Sequence, residues 1–168
     1  MEHLSKFSPP VLYIMGDGPR NEHEEELCEK SRNIALNPSW KCEVVPILNN
    51  QNEGVVASFI KGMDRMFSEH EFGIYLEDDV LLSKSFYNFS SDLLIKYRDN
   101  PSVGHINATN MAPHYKPKYE ASYIFGNFIT EWGFATWRRM WKSYDVNIRK
   151  WNSTNKKAMV SEACFNFR

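Results

Sequence analysis

Cysteine is scarce in this chain. Cys28, Cys42 and Cys164 are its three cysteines, and no two share a CxxC spacing. That excludes a disulfide framework and a thiolate zinc site, and it fits reduced thiols in a cytosolic setting. Long apolar runs are missing too. None approaches the ~20 residues that a bilayer span needs, and Met1–Pro10 has no basic stretch leading into an apolar one. Neither charge sign dominates: 20 Lys and Arg face 21 Asp and Glu, a net charge of −1. Nothing in that balance points to nucleic acid or an anionic membrane. Internal repeats and low-complexity tracts are absent. The expectation is a soluble cytoplasmic chain, which a membrane-associated partner could still hold at a surface.

What remains suits one domain. The 168 residues suffice for a single core, and 42% hydrophobic with 24% charged residues excludes disorder. Aromatic residues reach 14%, with 11 Phe, 8 Tyr and 5 Trp. Such rings serve core packing and also stacking on flat ligands or sugars.

Strands and helices alternate along the chain. Val11-Leu12-Tyr13-Ile14-Met15 reads as a strand ended by the turn cluster Gly16-Asp17-Gly18-Pro19-Arg20. Asn21 is placed to cap a helix over Glu22–Leu36, whose first turns are acidic. Cys42–Leu48 reads as a second strand, with Pro46 expected to take its last part out of the ladder. A helix from about Val55 to Ser68 follows, with Val56, Phe59, Ile60, Met63 and Phe67 on one face. Phe72–Leu76 reads as a third strand. Ser83 or Ser85 begins a helix to about Arg98, and Val103–Asn107 reads as a fourth strand. Ala108–Ser122 is irregular, with Pro113 and Pro117. Tyr123-Ile124-Phe125 suggests a short strand, and Gly133–Tyr144 a helix rich in Trp and Arg. This alternation implies an α/β fold with a mainly parallel sheet and helices on both faces, where ligands bind outside the carboxyl ends of the strands.

The segment Gly73-Ile74-Tyr75-Leu76-Glu77-Asp78-Asp79-Val80-Leu81-Leu82 stands out. Three consecutive carboxylates end one apolar run and begin another. Like charges packed together repel, and apolar flanks restrict the water that would screen them. A hard divalent cation such as Mg²⁺ or Mn²⁺ relieves that cost and usually arrives with substrate phosphates.

Strand, acidic triplet and helix resemble the DXD-type arrangement of GT-A glycosyltransferases, which hold a nucleotide sugar through a divalent metal. Leu12-Tyr13-Ile14 with Asp17-Gly18-Pro19-Arg20 is similar to the "DGP" turn of a bacterial group of family-2-like members. Asn52-Glu53-Gly54 resembles their "N-x-G" loop. Leu76-Glu77-Asp78-Asp79-Val80 with Ser85-Phe86-Tyr87 resembles their "LEDD…P-x-F-F" segment. Trp132-Gly133-Phe134-Ala135-Thr136-Trp137-Arg138-Arg139, then Trp141 and Tyr144-Asp145, resembles their "WGWATWRR-x-W-x-x-Y-D" block. The likeness spans Pro10 to Asp145. Members usually carry one more strand with an "N-R-P" turn upstream and continue beyond the Trp-rich block, so the expectation is an incomplete GT-A fold: residues 1–10 as an extension, 11–150 as the transferase domain and 151–168 as a tail.

The resemblance implies roles. Asp79 would bind the metal directly, with Glu77 and Asp78 on the ribose, the donor sugar or metal-bound water. A solvated acidic turn capping the following helix is the plainer alternative. Asp17 would lie near the nucleotide, although Asp and Gly are also ordinary turn formers. Arg20 would meet a phosphate or serve only the turn. Asn52 and Gly54 would let the backbone approach the donor, or simply begin a helix. Trp132 and Gly133 would face an acceptor sugar. Glu131 is the nearest carboxylate able to act as base in an inverting displacement, and Asp145 the next. Trp137, Arg138 and Trp141 read as scaffold, and the lone His105 and His114 as structural.

Three functions compete. The first is metal-dependent transfer of a sugar from a nucleotide-diphosphate-sugar donor to a glycan or other polar acceptor, in polysaccharide or glycoconjugate assembly. The second is an inactive remnant that binds metal–nucleotide weakly or acts as an interaction module. The third, a sugar-phosphate nucleotidyltransferase, is disfavoured because no Gly-rich, Arg/Lys-bearing phosphate loop follows the first strand.

Overall fold

A computed structural model describes residues 1–83, 85–110, 114, 122–127 and 129–149. The proposed tail, Cys164, Pro113 and Pro117 lie outside the described residues. The chain is mixed α/β. In order it forms α1 (Glu2–Ser5), β1 (Val11–Gly16), α2 (Glu22–Leu36), β2 (Glu43–Leu48) and α3 (Val55–Glu69). β3 (Phe72–Tyr75), α4 (Phe86–Lys96), β4 (His105–Asn107), β5 (Phe134–Trp137) and α5 (Arg138–Trp141) follow.

The strands form two sheets. β1 and β2 pair in parallel, Val11 opposite Glu43 through Gly16 opposite Leu48. The other sheet has the order β3-β5-β4, with β5 antiparallel to both neighbours. The expected mainly parallel sheet is therefore corrected: among the described residues only one of the three strand pairings is parallel. The expectation failed at Gly133–Tyr144, read as one helix. Phe134-Ala135-Thr136-Trp137 is an extended central strand, and the helix begins only at Arg138. Trp137 and Trp141 mimic a helical stripe, yet they enter different cores.

Alternation along β5 explains this. Ala135 and Trp137 pack with Ile74, Ile106, Leu93 and Leu94 on the α4 face. Phe134 joins Tyr75, Met63, Met66 and Phe67 on the α3 face. A strand has the period of two that serves both layers at once; a helix does not. Helices thus cover both faces of this sheet. Trp137 is 1% exposed, and its indole N–H donates to Leu94 O at 3.0 Å. The two following arginines tie neighbouring chain ends together. Arg138 donates to His70 O, while Arg139 donates to Tyr97 O and Arg98 O, just past the end of α4, and to Val103 O, just before β4.

Other expectations also shift. Pro46 stays in the ladder, opposite Ile14. Glu43 N donates to Pro10 O and Asn49 N to Gly16 O, so odd-numbered residues of β2 face β1. Pro46 turns its missing N–H to the outer edge, where no ladder bond is lost. Tyr123–Phe125 is not a strand: the Tyr123 hydroxyl lies 2.6 Å from that of Tyr97 and accepts from Lys96 Nζ at 2.7 Å, and its ring packs edge-on against Phe125. Asn21 and Ser85 occupy N-cap positions without a side-chain capping bond. The first ten residues are packed down: Phe7 stacks on Tyr87 at 5.4 Å, and Trp40 donates to Pro9 O at 2.9 Å. No helix of the described residues is long and apolar enough to cross a membrane.

Strand direction follows from α3. Along this helix Gly62 lies against Met15 and Glu69 bonds the Tyr13 hydroxyl, while Met66 lies against Gly73 and Phe59 against Tyr75. α3 therefore runs antiparallel to both β1 and β3. β1, β2, β3 and β4 all end on the side where α3 begins. Trp137→Ala should destabilise the fold by about 3–5 kcal/mol in urea unfolding. Trp132→Ala, at a side chain 56% exposed, should stay within about 0.5 kcal/mol.

Candidate functional site

Two groups of residues meet this common end. In the first, β3 runs out at Tyr75 and Glu77–Asp79 turns away, with Val80 N donating to Glu77 O at 3.4 Å. Beside it, Gly133 opens β5. Its φ of +97° favours glycine, and a Cβ there would come within 3.2 Å of both Ala108 and Leu76. Gly133 N donates to Glu131 O at 2.7 Å, Ala108 N donates to Gly133 O at 3.1 Å, and Thr130 N donates to the Asn107 side chain at 3.0 Å. These bonds hold Glu131-Trp132-Gly133 beside the root of the acidic loop. The space at Gly133 is filled by protein rather than left for a sugar. Glu131 and Trp132 are exposed.

Asp78 and Asp79 are exposed and Glu77 half-buried. Their carboxylates make no hydrogen bond or ion pair among the described residues. Their field is still felt: Tyr75 is shifted upward first by burial and then by Glu77 and Asp78, so its phenol stays protonated. Among the described residues no group of three or more His, Cys, Asp or Glu side chains is arranged to hold a metal ion. The triplet offers hard oxygen donors but no full protein cage. That donor set fits Mg²⁺ or Mn²⁺ held by one or two carboxylates, the remaining positions going to water and phosphate oxygen.

The second group is organised by Asp17. Its Oδ1 accepts from Gly18 N at 2.9 Å, Glu53 N at 2.9 Å and Asn49 Nδ2 at 3.0 Å. Its Oδ2 accepts from Asn52 Nδ2 at 3.0 Å and Gly54 N at 2.8 Å. The Glu53 amide, then the Asn49 side chain, hold this carboxyl far below the usual carboxylate range. Asp17, Asn52 and Gly54 thus come together as a latch that fastens the loop before α3 to the end of β1. Gly54 adopts φ +87° at the N-cap of α3. Gly18 is needed because a Cβ would meet the Gln51 backbone at 2.3 Å.

Four further members escaped the sequence reading. Asn49, 5% exposed, donates to Ser58 and accepts from Lys61, which also bridges Glu53. Arg32 donates to Asp17 O and Asn49 O from α2. Only the Asn-rich composition of residues 49–52 hinted at them. Arg20 lies outside this network, paired with Glu24 on the surface. Asp145 is bound by Arg149 and by the Asn147 and Arg149 amides, Arg149 chiefly lowering its pKa. His105 and His114 gain no metal-ligand companions among the described residues.

The latch has a pH signature. A carboxyl whose folded pKa is depressed contributes stability above its unfolded value near ~3.9, and loses it as pH falls below that. Asp17→Asn should cost about 2 kcal/mol at pH 7. The gap to the native chain should shrink in urea melts taken from about pH 4 downward. A gap independent of pH would remove Asp17 from this role.

Comparison with protein-family models, with curated proteins and with solved structures finds no match in any of the three.

Proposed function

We propose that the chain is a GT-A-type glycosyltransferase domain that binds a nucleotide-diphosphate-sugar through Mg²⁺ or Mn²⁺ at Glu77–Asp79. One observation carries this reading: three carboxylates without a hydrogen-bond or ion-pair partner among the described residues, at the end of β3 and beside Glu131–Gly133. Like charges packed together repel, and a bound divalent cation would relieve that cost. When bound, the metal would neutralise charge developing on the diphosphate leaving group. Asp79 is the expected direct ligand, with Glu77 and Asp78 oriented by the same turn. Glu131, exposed and on the same side, is the base that would take the proton of an acceptor hydroxyl, with Trp132 offering its indole to that acceptor.

The second reading is a remnant that binds metal–nucleotide without turnover. The latch favours it, because Asp17, Asn52 and Gly54 direct hydrogen bonds inward that a donor would otherwise receive. Calorimetric titration with UDP, GDP and CDP, each with and without Mn²⁺, tests the site. Metal-dependent binding of one nucleotide is expected. Asp79→Asn should weaken it by at least about tenfold, equal to ~1.4 kcal/mol, with stability unchanged within about 0.5 kcal/mol. Unaltered binding in that variant would sink the assignment. Sugar transfer from the matching donor then separates enzyme from remnant.

A further inference from the structure

An open cleft of about 220 Å³ lies between α3 and the turn after α5. Trp141 and Tyr144 are among its lining residues, and Phe67 continues their ladder of near-parallel rings into the core. Phe67 and Trp141 are 6.2 Å apart at 27°, and Trp141 and Tyr144 are 4.7 Å apart at 12°. Phe67 is buried and Tyr144 is 50% exposed, so the ladder climbs from core to surface. Phe59 braces it edge-on, 5.7 Å from Trp141 and 6.4 Å from Tyr144. The indole N–H of Trp141 donates to Asp64 Oδ1 at 2.7 Å, which fixes the ring plane.

Asp145, Asn147 and Arg149, on the turn that follows α5, also line the cleft. Asp145 accepts from Asn147 N at 3.2 Å, from Arg149 N at 2.9 Å and from Arg149 Nε at 3.1 Å. Ile148 sits at φ +48°, a conformation that β-branched residues rarely take, and its N–H donates to Asp145 O at 2.9 Å. The cleft therefore joins an aromatic face to the planar polar groups of Asp64, Asp145, Asn147 and Arg149.

Charge and shape narrow the ligand. A phosphate or carboxylate would meet Asp64 and Asp145, and Arg149 is already paired. A quaternary ammonium wants rings on several sides, whereas these rings are parallel and offer one platform. A nucleotide would bring its phosphates against the same two carboxylates. A neutral pyranose suits both halves, its C–H face on a ring and its hydroxyls on planar donors and acceptors. We propose that this cleft binds one neutral hexose unit, with Tyr144 as the platform and Asp64 and Asn147 as hydroxyl partners. The assignment stands on the cleft's own groups and needs neither metal nor nucleotide.

Saturation-transfer NMR on the full chain, without metal or nucleotide, tests it with methyl glucoside, methyl galactoside, methyl mannoside and uridine as probes. Signal is expected on the C–H face of at least one hexoside and should exceed that of uridine. Tyr144→Ala should reduce it at least fivefold and Tyr144→Phe should retain it. Asn147→Ala should reduce it at least twofold, and covers the case in which Tyr144→Ala fails to fold. Asp79→Asn should leave it unchanged, which separates this cleft from the metal–nucleotide site. Absence of signal with all three hexosides, a stronger response to uridine, or a signal that survives both Tyr144→Ala and Asn147→Ala would overturn the proposal.

Discussion

A single carboxylate organises one end of this molecule. Asp17 collects five hydrogen bonds from three places: its own turn, Asn49 at the end of β2, and the residues that open α3. β1, β2 and α3 are fixed to one another there, and α3 in turn lies across both β1 and β3. A neutral side chain could make some of these bonds. Only a negative charge favours all of them together, because each N–H dipole points its positive end at the same two oxygens. The placement of α3, and through it the relation between the two sheets, depends on that charge.

The sequence was readable where local rules decide. The spans of α2 and α3, the first three strands and the stop after α4 follow from periodicity, acidic first turns and Pro or Gly punctuation. It misled where a distant partner decides. Phe134–Trp137 is a strand because β3 and β4 offer it two edges and two hydrophobic faces, and nothing within the four residues says so. Trp141, four residues after Trp137, completed a helical pattern by coincidence. Pro46 was read as a ladder breaker because its outward-facing edge cannot be known from sequence.

The candidate site divides in the same way. The acidic triplet is visible as composition, and its position at a strand end follows from β3. Asp17, Asn52 and Gly54 were visible as a group of turn-forming residues, yet their mutual bonding was not, since it joins positions more than thirty residues apart. Side chains that look like ligand contacts in a linear pattern can be the ones that hold a loop shut. The carboxylates at Glu77–Asp79, unpartnered among the described residues, and the satisfied ones at Asp17 and Asp145 have the same chemistry and different availability.

The order of strands across the three-stranded sheet also bears on how the chain is made. Among the described strands β5, the middle one, leaves the ribosome after the others, while β3 and β4, which flank it, do not pair with each other. Until residues 134–137 emerge, β3 and β4 have no shared partner. Trp137 is also missing from the layer that α4 must cover. The residues before Phe134 therefore wait with open strand edges and an unfilled core, a state that favours slow, late folding and exposes the nascent protein to chaperones and to its own copies.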